Sequence, residues 1–167
     1  MMTGNSSDVF RRLIEATSNH GEAYFQGLCK QICTVFELKI CFVGETKSGD
    51  TENVHLISEY GLGDKNTLTQ YSLRHTVVEQ IYNTGLCYYP NSVQKLFPLD
   101  KTLLRFNIES VMGVSLLDVD KKRLGVLLVM HDSEILAANI LQDVLRFFGN
   151  RTSVELQLQN CLGNIPR

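Results

Sequence analysis

The chain has 167 residues, of which 44% are hydrophobic and 20% charged, with a formal net charge of −2. This length points to one domain able to bury a core unaided, and the balanced composition excludes wholesale disorder. The charge gives no electrostatic reason to expect nucleic acid, and the short basic clusters Arg11-Arg12 and Lys121-Lys122-Arg123 read as solvated surface or turn.

The polar opening MMTGNSSD lacks the apolar core of a signal peptide. The longest apolar run, Leu124–Met130, is far short of a membrane span, so a cytoplasmic protein without membrane contact is expected. Cys29, Cys33, Cys41, Cys87 and Cys161 form an odd set without framework spacing, which makes reduced thiols the expectation.

Residues 1–18 read as a frayed tail and a short helix carrying Val9, Phe10, Leu13 and Ile14 at helical spacing. Asn19 and Glu22 form a capping pair for a second helix with the stripe Phe25, Leu28, Cys29, Ile32, Val35 and Phe36. LKICFVGE (38–45) is a strand, Lys47-Ser48-Gly49-Asp50 a turn, and NVHLISEY (53–60) a strand whose alternation predicts a wet sheet edge. Gly61–Gln70 reads as a polar loop. Thr76 and Glu79 have capping-box spacing for a helix to about Asn83, with Gly85 after it. LCYYP is a short strand, and 91–107 is irregular or briefly helical, broken at Pro98.

IESVMGVSLLD and RLGVLLVMHD flank a short charged turn and are apolar on both faces. A short turn makes them antiparallel, and two apolar faces require cover on both sides. A long helix is then expected from about Ile135 to Leu162, with Gly163-Asn164-Ile165-Pro166 ending it. Its second half leaves a narrow seam of Val154, Leu158 and Cys161, which fits a partner helix and predicts a homodimer.

The element order resembles the GAF domain family of signalling modules, over about residues 20–160. YSLRHTVVEQIYNTGLCYYPNSVQKLFPLD (71–100) is similar to a family segment of capping turn, helix, short strand and FP-D element. IESVMGVSLLD resembles the strand "aeSYlGvPL" through Ser110, Gly113, Val114 and Leu116. RLGVLLVMHD resembles "plGvLavld" through Leu124, Gly125, Val126, Leu127 and Val129. FFGNRTSVELQLQ resembles "faaRaaaELer" through Arg151, Glu155 and Leu156. Two departures stand out: Thr76-Val77-Val78-Glu79 replaces Thr-Pro-Cys-Glu, and Ser115 replaces the proline of GvPL.

The resemblance implies an α+β sandwich, with a mostly antiparallel sheet of five or six strands. Terminal helices would cover one face, and short helices and ligand-pocket loops the other. The sensor domain would span 19–162, leaving 163–167 as a tail. It implies a regulatory sensor that binds a small molecule and signals through a dimerising C-terminal helix. A linked or separate output domain, in two-component or cyclic-dinucleotide signalling, would be its partner. Tyr60 and Ser110 would reach the pocket from strands, and Tyr71, His75, Tyr88 and Phe97 from the lid. Ordinary core packing accounts for each tyrosine singly.

No catalytic set is expected, because G-x-S-x-G is missing and Cys87 has no evident base. Neither a metal nor a cofactor is expected: paired C-x-x-C and H-E-x-x-H are both missing. The alternatives are a small redox enzyme on the same scaffold, similar to the free methionine sulfoxide reductases, and a pure dimerisation module.

Overall fold

The computed structural model describes residues 5–63 and 68–163. The expectations for residues 1–4, for the middle of the 61–70 loop and for 164–167 lie outside these residues. Helix α1 (Ser6–Ala16) starts at Asn5, whose side chain accepts from the Asp8 amide at 3.1 Å. Val9 and Leu13 bury it against α2 (Gly21–Phe36), so the first helix belongs to the main core. Asn19 does not cap α2. The cap residue His20 makes no side-chain cap bond, and the Gly21 amide donates to Glu155 Oε2 at 3.2 Å.

Strands β1 (Ile40–Lys47), β2 (Asp50–Tyr60) and β3 (Gln70–Ser72) precede α3 (Val77–Thr84) and β4 (Cys87–Tyr89). Two short helices, α4 (Val93–Leu96) and α5 (Lys101–Arg105), lead to β5 (Ser110–Leu117), β6 (Arg123–His131) and α6 (Ala138–Gly163). The sheet has six strands in the order β3-β2-β1-β6-β5-β4, and its neighbouring pairs are antiparallel. β2 is therefore interior. The edge beside it is β3, a three-residue strand whose polar sequence hides it from a hydrophobicity reading.

Alternation sends successive side chains to opposite faces. Cys41, Val43, Met112, Val114, Leu127 and Val129 pack beneath α1, α2 and α6. Ile40, Phe42, Val111, Val126, Leu128 and Met130 pack against α3 and the 93–108 segment. Both faces are covered, as the doubly apolar strands require. Among the described residues, no helix is long and apolar enough to cross a membrane.

Candidate functional site

On the lid side, Thr76 is the N-cap of α3 and accepts from the Glu79 amide at 3.2 Å. Glu79 accepts from the backbone amide of His75, one residue before the cap, at 2.9 Å. The geometry holds His75 in a left-handed turn at φ 57°, with its ring exposed. Below it, Tyr71 stacks on Phe42 with 5.8 Å between ring centres. Its hydroxyl donates to both Asp100 oxygens, at 2.8 and 2.9 Å, and the Val77 amide donates to Asp100 Oδ2 at 3.1 Å. One buried carboxylate thus ties β3, the start of α3 and the start of α5 together. Burial pushes the Asp100 carboxyl above its ordinary range, against the hydrogen bonds from Val77 and Tyr71 that pull it down. The Tyr71 hydroxyl is raised by burial and by the charge of Asp100.

At the middle of β5 the lid lies directly against the sheet. A β-carbon on Gly113 would lie 2.6 Å from Leu128 Cβ and 2.9 Å from Ile81 Cδ1, so α3 sits almost directly on the central strands. Open space on this side, among the described residues, includes about 470 Å³ beside Asp50, Leu73, Tyr82 and Arg123. A cleft of about 320 Å³ runs between His75, Thr76, Glu79 and Gln80 on one wall and Leu96–Leu99 on the other. A second depression, of about 200 Å³, opens beside Tyr71 and Asp100.

The six expected pocket residues divide between the two faces. Tyr71, His75 and Phe97 are on the lid side, where Phe97 meets Tyr89 edge-on at 5.3 Å. The other three face the helices. Tyr60 is directly opposite Cys41 and therefore shares its helical face, half-exposed at the strand end. Tyr88 pairs with Met112 and packs on the helical core. Ser110 alternates with Met112 and Val114 on that same face, fully buried. The expectation of one cavity lined by all six is corrected: both faces of these strands are apolar, so alternation could not say which would carry the lid.

Ser110 is not set up as a nucleophile. Its hydroxyl donates to the Ser133 carbonyl at 2.6 Å, and its cross-strand partner His131 uses Nδ1 to accept from the Lys39 amide at 3.2 Å. Cys29, Cys33 and Cys41 are buried together, and burial followed by contact with the other two thiols raises the Cys41 thiol. Burial also raises Cys87, which keeps it in the less reactive protonated form. Among the described residues no group of three His, Cys, Asp or Glu side chains is placed to hold a metal.

On the helical side, Glu155 of α6 is the chief polar anchor. Its side chain is 5% exposed and takes bonds from His20 Nδ1 at 2.9 Å and the Gly21 amide, with Arg151 at 3.5 Å. Burial raises this carboxyl, but His20, the Gly21 amide and Arg151 together bring it below its ordinary range. Arg151 also covers the Tyr24 ring at 4.6 Å, and burial raises the Tyr24 hydroxyl to about 12. Arg151 and Glu155, matched earlier only as a sequence pattern, thus fasten α6 to the start of α2. Beyond this anchor α6 turns Phe147 (50% exposed), Val154 (54%) and Leu158 (50%) outward, with Cys161 and Leu162 exposed past them. Phe10 of α1 meets Phe147 edge-on at 5.7 Å, and Ile14 continues the apolar strip onto α1. The seam is therefore wider than the three residues expected.

No family model matches the sequence, and no curated protein matches it. Solved structures do match the fold. The GAF domain of an Acinetobacter phosphoenolpyruvate-protein phosphotransferase is 16% identical with a TM-score of 0.73, the match covering 98% of this chain and 100% of that one. The GAF domain of a phosphoenolpyruvate-protein phosphotransferase from Coxiella burnetii gives 11% identity and a TM-score of 0.77, covering 96% and 98%. The chromophore-binding domain of Stigmatella aurantiaca phytochrome P1 gives 13% and 0.64, covering 89% of this chain and 57% of that one. With six antiparallel strands between a helical layer and a short-helix lid, this chain has the GAF-domain fold.

Proposed function

We propose that this chain is a non-catalytic regulatory module that pairs with a second copy through α1 and α6 and passes a signal along α6 to an output domain. The observation that carries this reading is the apolar strip Ile14, Phe147, Val154, Leu158 and Leu162, exposed on two adjoining helices. Two such strips related by a two-fold axis form a four-helix arrangement in which each covers the other. The close contact of α3 with the sheet at Gly113 supports a module that works through its helices more than through an enclosed ligand. Light scattering at micromolar concentration is expected to give a dimer, and Leu158→Glu a monomer. A charge in that seam costs several kcal/mol, on the order expected for an unpaired buried carboxylate. A monomeric parent chain refutes the reading.

A ligand role is the second reading. It rests on the three lid-side residues Tyr71, His75 and Phe97 and on the 320 Å³ cleft that His75 and Phe97 help to line. A small polar or planar molecule would meet the exposed His75 ring there and the Phe97 face. Native mass spectrometry of the purified protein tests it, and a retained small molecule lost in His75→Ala supports it. The redox alternative has least support, since four of the five thiols are buried or half-buried. Turnover of a methionine sulfoxide that disappears in Cys87→Ser would restore it.

A further inference from the structure

The fold brings the basic turn Lys121-Lys122-Arg123 against Lys47, the last residue of β1. All four cations line the lid-side cleft of about 470 Å³, whose apolar wall is Leu73 and Tyr82. Two parts of this cleft are held in place. Asp118 Oδ1 accepts from the Asp120 and Lys122 amides, at 2.8 and 2.9 Å, which orders the turn. Arg123 Nη2 donates to the Asn83 carbonyl near the end of α3 at 3.0 Å, and its guanidinium covers the Tyr82 ring at 5.8 Å. Among the described residues, Lys47, Lys121, Lys122 and Arg123 form no ion pair. One carboxylate lines the cleft, Asp50, and it is already engaged by His55 Nε2 at 2.8 Å and by the Glu52 and Asn53 amides at 2.9 and 3.1 Å. Glu52 is paired with Arg74, and Asp120 is exposed in the turn, outside the cleft lining.

We propose that this cleft binds a compact polyanion of the phosphate class, a diphosphate or triphosphate group. Cations gathered around one hollow repel each other unless a counter-charge sits between them. Lysine ammoniums on flexible stems meet a phosphate chain as point charges, and Arg123, fixed through one nitrogen, keeps further donors for it. Size separates this ligand from a macromolecule: about 470 Å³ is the range of a small-molecule site. The chain as a whole carries a net charge of −2, which gives nucleic acid no general attraction. On the α6 side, Lys47, Lys122 and Arg123 also line a cleft of about 710 Å³. Glu45 lies there without an ion pair among the described residues and opposes an anion, so charge favours the lid-side cleft, where Lys121 is added and Asp50 is engaged. The lining shares no residue with the His75–Phe97 cleft, so the two sites stand or fall separately.

The test is isothermal titration calorimetry of the whole chain with orthophosphate, pyrophosphate and tripolyphosphate, at low salt and at about 0.15 M. Affinity is expected to climb with each added phosphate, and to weaken but persist at the higher salt. Lys121→Gln with Lys122→Gln is expected to weaken tripolyphosphate binding about tenfold, and Lys47→Gln about threefold. Both variants should keep the parent's circular dichroism spectrum, since these side chains are exposed. Lys95→Gln with Lys101→Gln, at exposed cations elsewhere, should bind like the parent. Amide NMR shifts on titration should gather at 46–51, 82 and 121–124. ATP separates two sources of the same group. An affinity no greater than that of tripolyphosphate means that the phosphate chain alone is recognised, and tighter binding means that the chain is carried on an organic group. No binding overturns the proposal, as does an affinity that ignores phosphate number or undiminished binding by both cleft variants. Shifts spread over every lysine also overturn it, as an adventitious ion only. Binding to a DNA duplex without binding to tripolyphosphate overturns it in favour of a nucleic-acid partner.

Discussion

Both layers on this sheet bury apolar side chains, but the lid leans more on polar bonds. The helical layer uses long elements, α2 and α6, whose apolar faces bury Tyr24, Phe25, Leu28, Ile32, Val144, Leu145 and Phe148. Burial of that extent anchors the helices, at about 1.5–3 kcal/mol for each large side chain. It leaves an outer strip uncovered. The lid contains helices of four and five residues, α4 and α5, too short to be stable alone. Polar bonds therefore locate it: Asp100 to Tyr71 and Val77, the Ser92 amide to Glu109, and Gln94 Nε2 to the Ile108 carbonyl. Val93 and Leu103 are buried too, but elements this short have fewer contacts to share the loss of one bond than α2 and α6 do.

The largest effect should come where the lid touches the sheet most closely. Gly113→Val would drive side-chain atoms into Leu128 and Ile81, and is expected to cost about 3 kcal/mol or more in urea unfolding. A cost below about 1 kcal/mol would mean that α3 rides loosely on the sheet, contrary to its close contact at Gly113.

Asp100→Ala comes next, at about 2–3 kcal/mol, because it leaves a buried hydroxyl and the Val77 amide without an acceptor. Hydrogen exchange should show 93–107 opening before the rest of the molecule, whereas a change in α2 or α6 should act globally. Tyr71→Phe removes one donor and should cost about 1 kcal/mol. The pH response has a definite sign. Because burial raises the folded-state value of Asp100, its cost is present at neutral pH and is relieved as pH falls through that raised value.

Glu155 responds in the opposite sense. Held below the ordinary carboxylate range in the folded state, it stabilises above that range and loses the contribution as pH falls through its lowered value. Glu155→Gln should cost about 1 kcal/mol at neutral pH and flatten part of the acid-side loss. The figure is kept low because the His20 side chain is 80% exposed and screened by solvent. Thermal melts of the variant and parent across the acid range measure both parts. A parallel loss in the two proteins would show that this anchor is electrostatically idle.

Cys87→Ser should be the smallest change, within about 0.5 kcal/mol. Its half-buried thiol lies 4.0 Å from the Gln80 carbonyl, and serine keeps the size and hydrogen-bonding capacity of the side chain. A larger effect would show that the thiol itself, and not only Tyr89, supports the lid.

Much of this architecture was legible in the chain. The Thr76–Glu79 pair announced α3, the doubly apolar strands announced cover on both faces, and the α6 seam announced exposure at Val154 and Leu158. Local spacing carries that information because helices and strands impose periods on side-chain direction. β3 was missed because Gln70, Tyr71 and Ser72 pair through backbone without an apolar pattern.

The candidate site was less legible. Alternation placed Ser110 and Met112 on the same side of β5, but with apolar residues on both sides it could not identify the helical face. Only packing put Tyr60, Tyr88 and Ser110 under the helices and Tyr71, His75 and Phe97 under the lid. Asp100 and Glu155 are likewise unremarkable acids in sequence. Their roles come from partners 23 and 134 residues away, Val77 and Gly21. Apart from β3, the elements, their order and their apolar faces were written in local sequence, because those follow from neighbours within a few residues. Tertiary structure alone decided which face closed over which, because buried carboxylates and apolar contacts join segments whose separation along the chain leaves no periodic trace.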